Sequence, residues 1–126
     1  MGGLSSEREI SFLTGNSVLE AMNRKGLKVF PIDVDKNIAS NLQNIDLAFI
    51  ALHGTYGEDG CIQGLLEYFQ IPYTGPGVTG SALAYDKLKS KEIFKFHGIP
   101  TADYEVFYRN QDQPIKRTLD LPVVVK

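Results

Sequence analysis

Four places in the sequence hold residue types that could do chemistry. The first is GGLSSERE, residues 2–9. Its glycines would let a ligand approach the backbone, and the free N–H groups of a helix starting there favour a negative group. It lacks the G-x-G-x-x-G spacing of a dinucleotide site. Glu7 stands in the first turn of that helix, where a carboxylate either complements the helix dipole or meets a cationic ligand group. The second is HGTYGEDG, residues 53–60. His53 ends an apolar run, so its ring should stand at the rim of a sheet as a hydrogen-bonding or proton-transfer group, with a packed, satisfied histidine as the alternative. Glu58 and Asp59 open the next helix and could cap it. One histidine beside two adjacent acids has no recognised ligand spacing, so no metal site is read here. The third is TGPGVTGSALAYDKLKSK, residues 74–91, in which Lys87 and Lys91 lie four apart, as on a solvated helix face. The fourth is Lys126. It follows three valines in a strand expected to be mostly buried, where an ammonium is unfavourable unless an anion such as phosphate meets it. His97 beside Gly98 suits a helix C-terminus and reads as structural.

These residues need elements to hold them. Ser6-Glu7-Arg8-Glu9 has the S-x-x-E form of a capping box, and the helix it opens should stop at Gly26. Ile10, Leu13, Val18, Ala21 and Met22 would form its sheet-facing side, leaving Phe12 and Leu19 on the opposite side. Lys28 to Asp33 reads as a strand near a sheet edge because of Pro31. LAFIAL, 47–52, is apolar without alternation, as in a central parallel strand covered on both faces. Ile62, Leu65, Leu66 and Phe69 mark one stripe of a helix. A short strand at 71–74, two consecutive helices over 78–97 with Asp86 capping the second, and strands at 101–107 and 121–125 follow, the last two separated by the polar connection Arg109 to Gln113. The alternation predicts an α/β domain with a mostly parallel sheet. A strand should precede the Gly-Gly turn, yet only Met1 does, so the sheet's first strand and a closing element after Lys126 are expected beyond this sequence.

Composition narrows the function. The chain has 126 residues, 43% apolar and 22% charged, with a net charge of −2. Disorder and collagen-like or disulfide-stapled architectures are disfavoured. No apolar run is long enough to span a bilayer, and no basic cluster suggests nucleic acid. The single Cys61 and the absence of a signal-peptide pattern fit a cytoplasmic protein.

As an ordered set, GGLSSEREIS, IALHGTYGEDG, IQGLLE, IPYTGPGVTGSALAYDKLKSK, GIPT and LPVVVK resemble the amino-terminal part of the D-alanine–D-alanine ligase family of the ATP-grasp superfamily. The resemblance covers essentially the whole chain. It implies a Rossmann-like, parallel-sheet domain over residues 1–96, followed at 97–126 by the beginning of a central ATP-grasp domain. It further implies that ATP phosphorylates one D-alanine carboxylate and that the amine of a second D-alanine attacks the acyl phosphate, in the service of peptidoglycan synthesis. Glu7 would contact the first substrate's ammonium, and His53 would lie beside the reacting carboxylate. Ser5 and Ser6 would shape the site, Glu58 would support the first loop from behind, and Lys87 and Lys126 would bind ATP phosphates. Leu4 departs from the small or hydroxyl residue usual at its position. The Mg2+ ligands, the glycine-rich loop over the phosphates and the remaining substrate residues would lie downstream of Lys126, and the full-length enzyme would be a homodimer. Two other readings stay open on the residues alone: a non-catalytic small-ligand-binding α/β domain, and an ATP-grasp ligase for another substrate pair.

Overall fold

The computed structural model describes residues 1–108 and 118–125. It comprises two compact units, Met1–Asp86 and Lys87–Lys126.

Helix α1, Arg8–Arg24, ends at Lys25 and Gly26, the latter at φ +72°. Its start departs from expectation. The residue before the first turn is Glu7, and no side chain caps the helix, so the Ser6 capping box is not formed. Ser5 takes over instead, its Oγ accepting the Glu7 N–H at 3.1 Å. The inward face differs too. Ser11 and Gly15 are buried, whereas Ile10 and Leu13 are 50% and 66% exposed. The reason is close approach: a Cβ on Gly15 would stand 2.5 Å from the Cβ of Met1. Only small residues fit there, and the bulkier Ile10 and Leu13 turn outward. Phe12, half-buried, lies under the Arg8 guanidinium at 4.7 Å. Arg8 also grips Asp33 through two hydrogen bonds of 2.8 and 2.5 Å, which holds the Asp33 carboxyl below its ordinary pKa.

Four extended segments of this unit pair two by two, each pair parallel and meeting only at an isolated bridge, Gly2 with Val34 and Ala48 with Tyr73. Among the described residues no longer ladder forms. The Met1 amine donates to the Ile32 carbonyl at 3.0 Å, and the Val34 N–H donates to the Met1 carbonyl at 3.0 Å. On the other side, Ala48 donates to Pro72 at 2.8 Å and accepts from Thr74 at 3.0 Å. Segments 28–34 and 47–52 do not pair with each other, and an apolar trough of about 460 Å³ lies between them, lined by Val18, Met22, Leu42, Ile62 and Leu66 among others. Coverage of the 47–52 run on both faces is consequently not observed: Ala51 and Leu52 are buried, but Leu47 and Phe49 are exposed.

Beyond the short α2, Ile38–Asn41, helix α3 spans Cys61–Tyr68 and α4 spans Val78–Tyr85. The core gathers Leu42, Leu52, Ile62, Leu66 and Ile71, with Val34, Ile38 and Ala48 packed around it. Leu66 is 2% exposed, a burial worth about 1.5–3 kcal/mol. Of the expected α3 stripe, Phe69 alone remains exposed.

In the second unit α5 spans Lys87–Phe96, and Gly98 follows at φ +66°. Lys91 is not simply solvated. Its ammonium donates to Thr101 Oγ1 at 3.0 Å and to the Ala102 carbonyl at 2.8 Å, and with Lys95 it lies over the Tyr104 ring. His97 stacks edge-on against Phe96 at 5.0 Å. Residues 101–107 and 121–125 carry no strand assignment, and Val124 and Val125 are 83% and 90% exposed, so the expected buried strand is absent from the described residues. Extended apolar segments need a paired neighbour to become a sheet, and among the described residues these two form no bridge with another segment. The connection at 109–113 and Lys126 lie outside the described residues.

Candidate functional site

Two loops that are far apart in sequence are tied together in the first unit. The Ser5 hydroxyl donates to the His53 carbonyl at 2.7 Å while accepting the Glu7 N–H. From α1, Ser11 Oγ accepts the His53 N–H at 2.9 Å and donates to the Glu7 carbonyl at 3.2 Å. The backbone of His53 is thus held between the start of α1 and its second turn. Close packing needs a glycine next to it. Gly54 sits at φ +74°, and a Cβ there would stand 3.1 Å from Ser5 Oγ and 3.2 Å from Glu7 Oε1.

The second loop also braces itself. Glu58 Oε2 accepts the Gly54 N–H at 2.8 Å, and its other oxygen lies 3.9 Å from His53 Nδ1. Asp59 accepts the N–H groups of Tyr56 at 2.8 Å and Cys61 at 3.1 Å. Burial raises the Asp59 pKa, but the hydrogen bonds from Tyr56 and Cys61 outweigh it and leave the carboxyl below its ordinary value. Asp59 in turn pushes the Cys61 thiol up. Beneath the loop, the buried Gln63 donates from Nε2 to the Gly57 carbonyl at 3.0 Å, and the loop's outer side is tied to α4 by a 3.0 Å contact between Thr55 Oγ1 and the Tyr85 hydroxyl.

The result is a small polar site with two unlike poles. Glu7 is exposed, and its carboxylate has no hydrogen bond or ion pair among the described residues, though it lies against Gly54. The His53 ring is partly exposed, with Nε2 at 2.9 Å from Thr14 Oγ1. A carboxylate at one end and an imidazole at the other suit a zwitterion, whose ammonium would meet Glu7 and whose carboxylate would meet His53.

Of the residues singled out from the sequence, Ser5, Glu7, His53 and Glu58 are brought together. Glu58 reaches the first loop only through Gly54, its direct contacts being within the second. Ser6 is exposed, with no hydrogen bond among the described residues. Lys87 begins α5 in the second unit. Ser11 and Thr14 were not anticipated. Their spacing of three places both hydroxyls on one helix face, beside Gly15, a signal that an apolar-periodicity search passes over. No three His, Cys, Asp or Glu side chains gather where they could hold a cation, among the described residues.

Comparison with known proteins bears on this arrangement. Residues 37–76 match a family described as "D-ala D-ala ligase N-terminus". The D-alanine–D-alanine ligase of Carboxydothermus hydrogenoformans is 53% identical over 99% of this chain and 43% of its own length. That of Geobacter sulfurreducens is 48% identical over 100% of this chain and 41% of its own. Among solved structures, the crystal structure of the Bacillus anthracis D-alanine–D-alanine ligase complexed with ATP aligns with a TM-score of 0.82 and 37% identity, covering 90% of this chain and 40% of that one. The fold is therefore that of an amino-terminal ligase domain. Over essentially its whole length the chain is similar to the amino-terminal portion of D-alanine–D-alanine ligases. It spans only about two fifths of the relatives it matches (43% and 41%).

Proposed function

We propose that the polypeptide carrying this chain joins two D-alanines into D-alanyl-D-alanine at the expense of ATP, through an acyl phosphate, for peptidoglycan synthesis. The single observation that carries the reading is the juxtaposition of the Glu7 carboxylate, which has no partner among the described residues, with the His53 loop, pinned by the 2.7 Å Ser5–His53 hydrogen bond. In this reading Glu7 receives the ammonium of the first D-alanine, and His53 stands beside its carboxylate as charge builds there. A carboxylate cannot be attacked directly by an amine, because oxide is too poor a leaving group; transfer of a phosphoryl group from ATP, releasing ADP, makes an acyl phosphate from which phosphate leaves when the amine attacks. The chain's part is positioning. Rigid loops hold the ammonium and carboxylate ends of the substrate, which fixes the reacting oxygen for transfer.

Lys87 and Lys126 are proposed to bind ATP phosphates, and Ser6 to shape the mouth of the first loop. Mg2+ has no ligand set among the described residues, so its ligands are assigned to the rest of the polypeptide. The same reading gives the chain a Rossmann-like sheet over residues 1–96 with the ATP-grasp domain beginning at 97, and gives the full-length protein a homodimeric state and a cytoplasmic location. Among the described residues no helix is long and apolar enough to cross a membrane.

The test is Glu7→Ala in the complete polypeptide. Losing a charge-assisted hydrogen bond of about 1.5–3 kcal/mol should weaken first-site D-alanine binding by roughly one to two orders of magnitude while leaving the melting temperature unchanged. Near-normal turnover and D-alanine affinity would return Glu7 to the helix dipole.

A further inference from the structure

Helix α1 carries hydroxyls at positions 11, 14 and 17. Two of them behave as hydroxyls inside helices do: Ser11 and Ser17 donate to the carbonyls four residues back, at 3.2 and 3.0 Å. Thr14 does not. Its Oγ1 lies 2.9 Å from His53 Nε2, across 39 residues of sequence. A β-branched side chain in a helix has few rotamers, so once aimed at the ring the hydroxyl stays there.

The other ring nitrogen meets a different environment. His53 Nδ1 lies 3.9 Å from Glu58 Oε1, too far for a hydrogen bond but near enough for a carboxylate to favour a proton on that nitrogen. Glu58 cannot swing freely, because its second oxygen holds the Gly54 N–H. The His53 backbone is fixed as well, by Ser5 at its carbonyl and Ser11 at its N–H. With both backbone groups and Nε2 engaged, the ring has one nitrogen left to offer a ligand.

We infer that Thr14 is a positioning residue: its hydroxyl donates to Nε2 of neutral His53, which places the proton on Nδ1 and makes Nδ1–H the donor that His53 presents to an anionic ligand group. If His53 takes a second proton, the Thr14 hydroxyl rotates and accepts from Nε2–H. Nδ1 keeps its proton in both states. Which nitrogen of a histidine carries the proton is set by the partner of the other one, and here that partner comes from the middle of a neighbouring helix. The inference deepens the reading of His53 given above and rests on it only for the identity of the ligand.

The experiment uses the complete polypeptide with 15N-labelled histidine and reads the His53 tautomer from long-range 1H–15N correlations, with the His53→Gln variant assigning the signals. The wild type should show the Nδ1–H form. Thr14→Val keeps the shape and removes the hydroxyl, so a substantial fraction of Nε2–H, the form that free histidine favours, should appear. Thr14→Ser should restore the wild-type pattern. In turnover, Thr14→Val should raise the KM for the first D-alanine about tenfold with the KM for ATP unchanged, and Thr14→Ser should bring it back. If Thr14→Val does not fold, Thr14→Ala, which only removes atoms, takes its place. An Nδ1–H signal that persists in the hydroxyl-free variants overturns the inference, as does a D-alanine KM that ignores a changed tautomer. Because the spectrum requires no turnover, it decides the role of Thr14 even if the polypeptide proves unable to ligate D-alanine, an outcome that would sink the proposed function instead.

Discussion

Neighbouring residues at the start of α1 have been given opposite work. Arg8 is consumed by structure, bonded to Asp33 and to the Gly3 carbonyl and stacked on Phe12. Glu7, one residue earlier, has its backbone fully used and its carboxylate unpaired among the described residues. A residue whose main chain is pinned while its charge stays available is suited to meeting a ligand, since little ordering remains to oppose binding. The lysines pose a different question. Lys91 is drawn into contacts with Thr101, Ala102 and Tyr104, so it is not simply a solvated lysine. Lys87 and Lys126 are proposed to act on the nucleotide as point charges that neutralise phosphate oxygens. In the complete polypeptide, Lys87→Met and Lys126→Met should each raise the KM for ATP and slow phosphoryl transfer, with first-site D-alanine binding less affected. Unchanged ATP kinetics in both variants would contradict the assignment.

At the scale of elements, the site depends on how closely α1 and the 53–60 loop approach. The helix presents Ser11, Thr14 and Gly15 to that loop and to Met1, an inward face chosen for size and hydrogen bonding, with its apolar residues beginning at Val18 where the trough opens. On the loop side, Gly54 is the glycine that faces Ser5 and Glu7. An alanine there would hold a left-handed conformation at about 1–2 kcal/mol and press its Cβ against Ser5 Oγ and Glu7 Oε1, 3.1 and 3.2 Å away. Gly54→Ala should therefore lower the melting temperature of the complete polypeptide by several degrees and raise the D-alanine KM, with ATP binding intact. A variant with wild-type stability and kinetics would show that the two loops are not coupled in this way.

For the molecule as a whole, the chain covers 43% of one relative's length and 41% of another's, and under the proposed function the site built on residues 5–58 is one wall of a larger arrangement. Phosphoryl transfer is almost entirely positioning and electrostatic stabilisation, and a single wall cannot supply both. Residues 1–126 alone should form no D-alanyl-D-alanine at any substrate concentration; a purified preparation, free of host ligase, that releases ADP and dipeptide in equal amounts would refute the division of labour proposed here. Much of this was legible beforehand. Helix ends at Gly26 and Gly98 and the buried Leu66 stripe follow from local rules, because caps and periodicity are properties of short stretches; the grouping of Glu7 with His53 came only from the family resemblance of the ordered motifs. What α1 turns inward was not legible: apolar periodicity pointed to Ile10 and Leu13, whereas contact with Met1 and His53 selects Gly15, Ser11 and Thr14. Among the described residues the extended segments meet only at isolated bridges, since an apolar run becomes a ladder only when another extended segment pairs with it. Sequence by itself determined which residues carry charge, hydroxyl or imidazole and roughly where the helices begin and end. Only the tertiary structure decided which hydroxyl meets which ring nitrogen, because that depends on the approach of segments 39 residues apart and no local pattern encodes it.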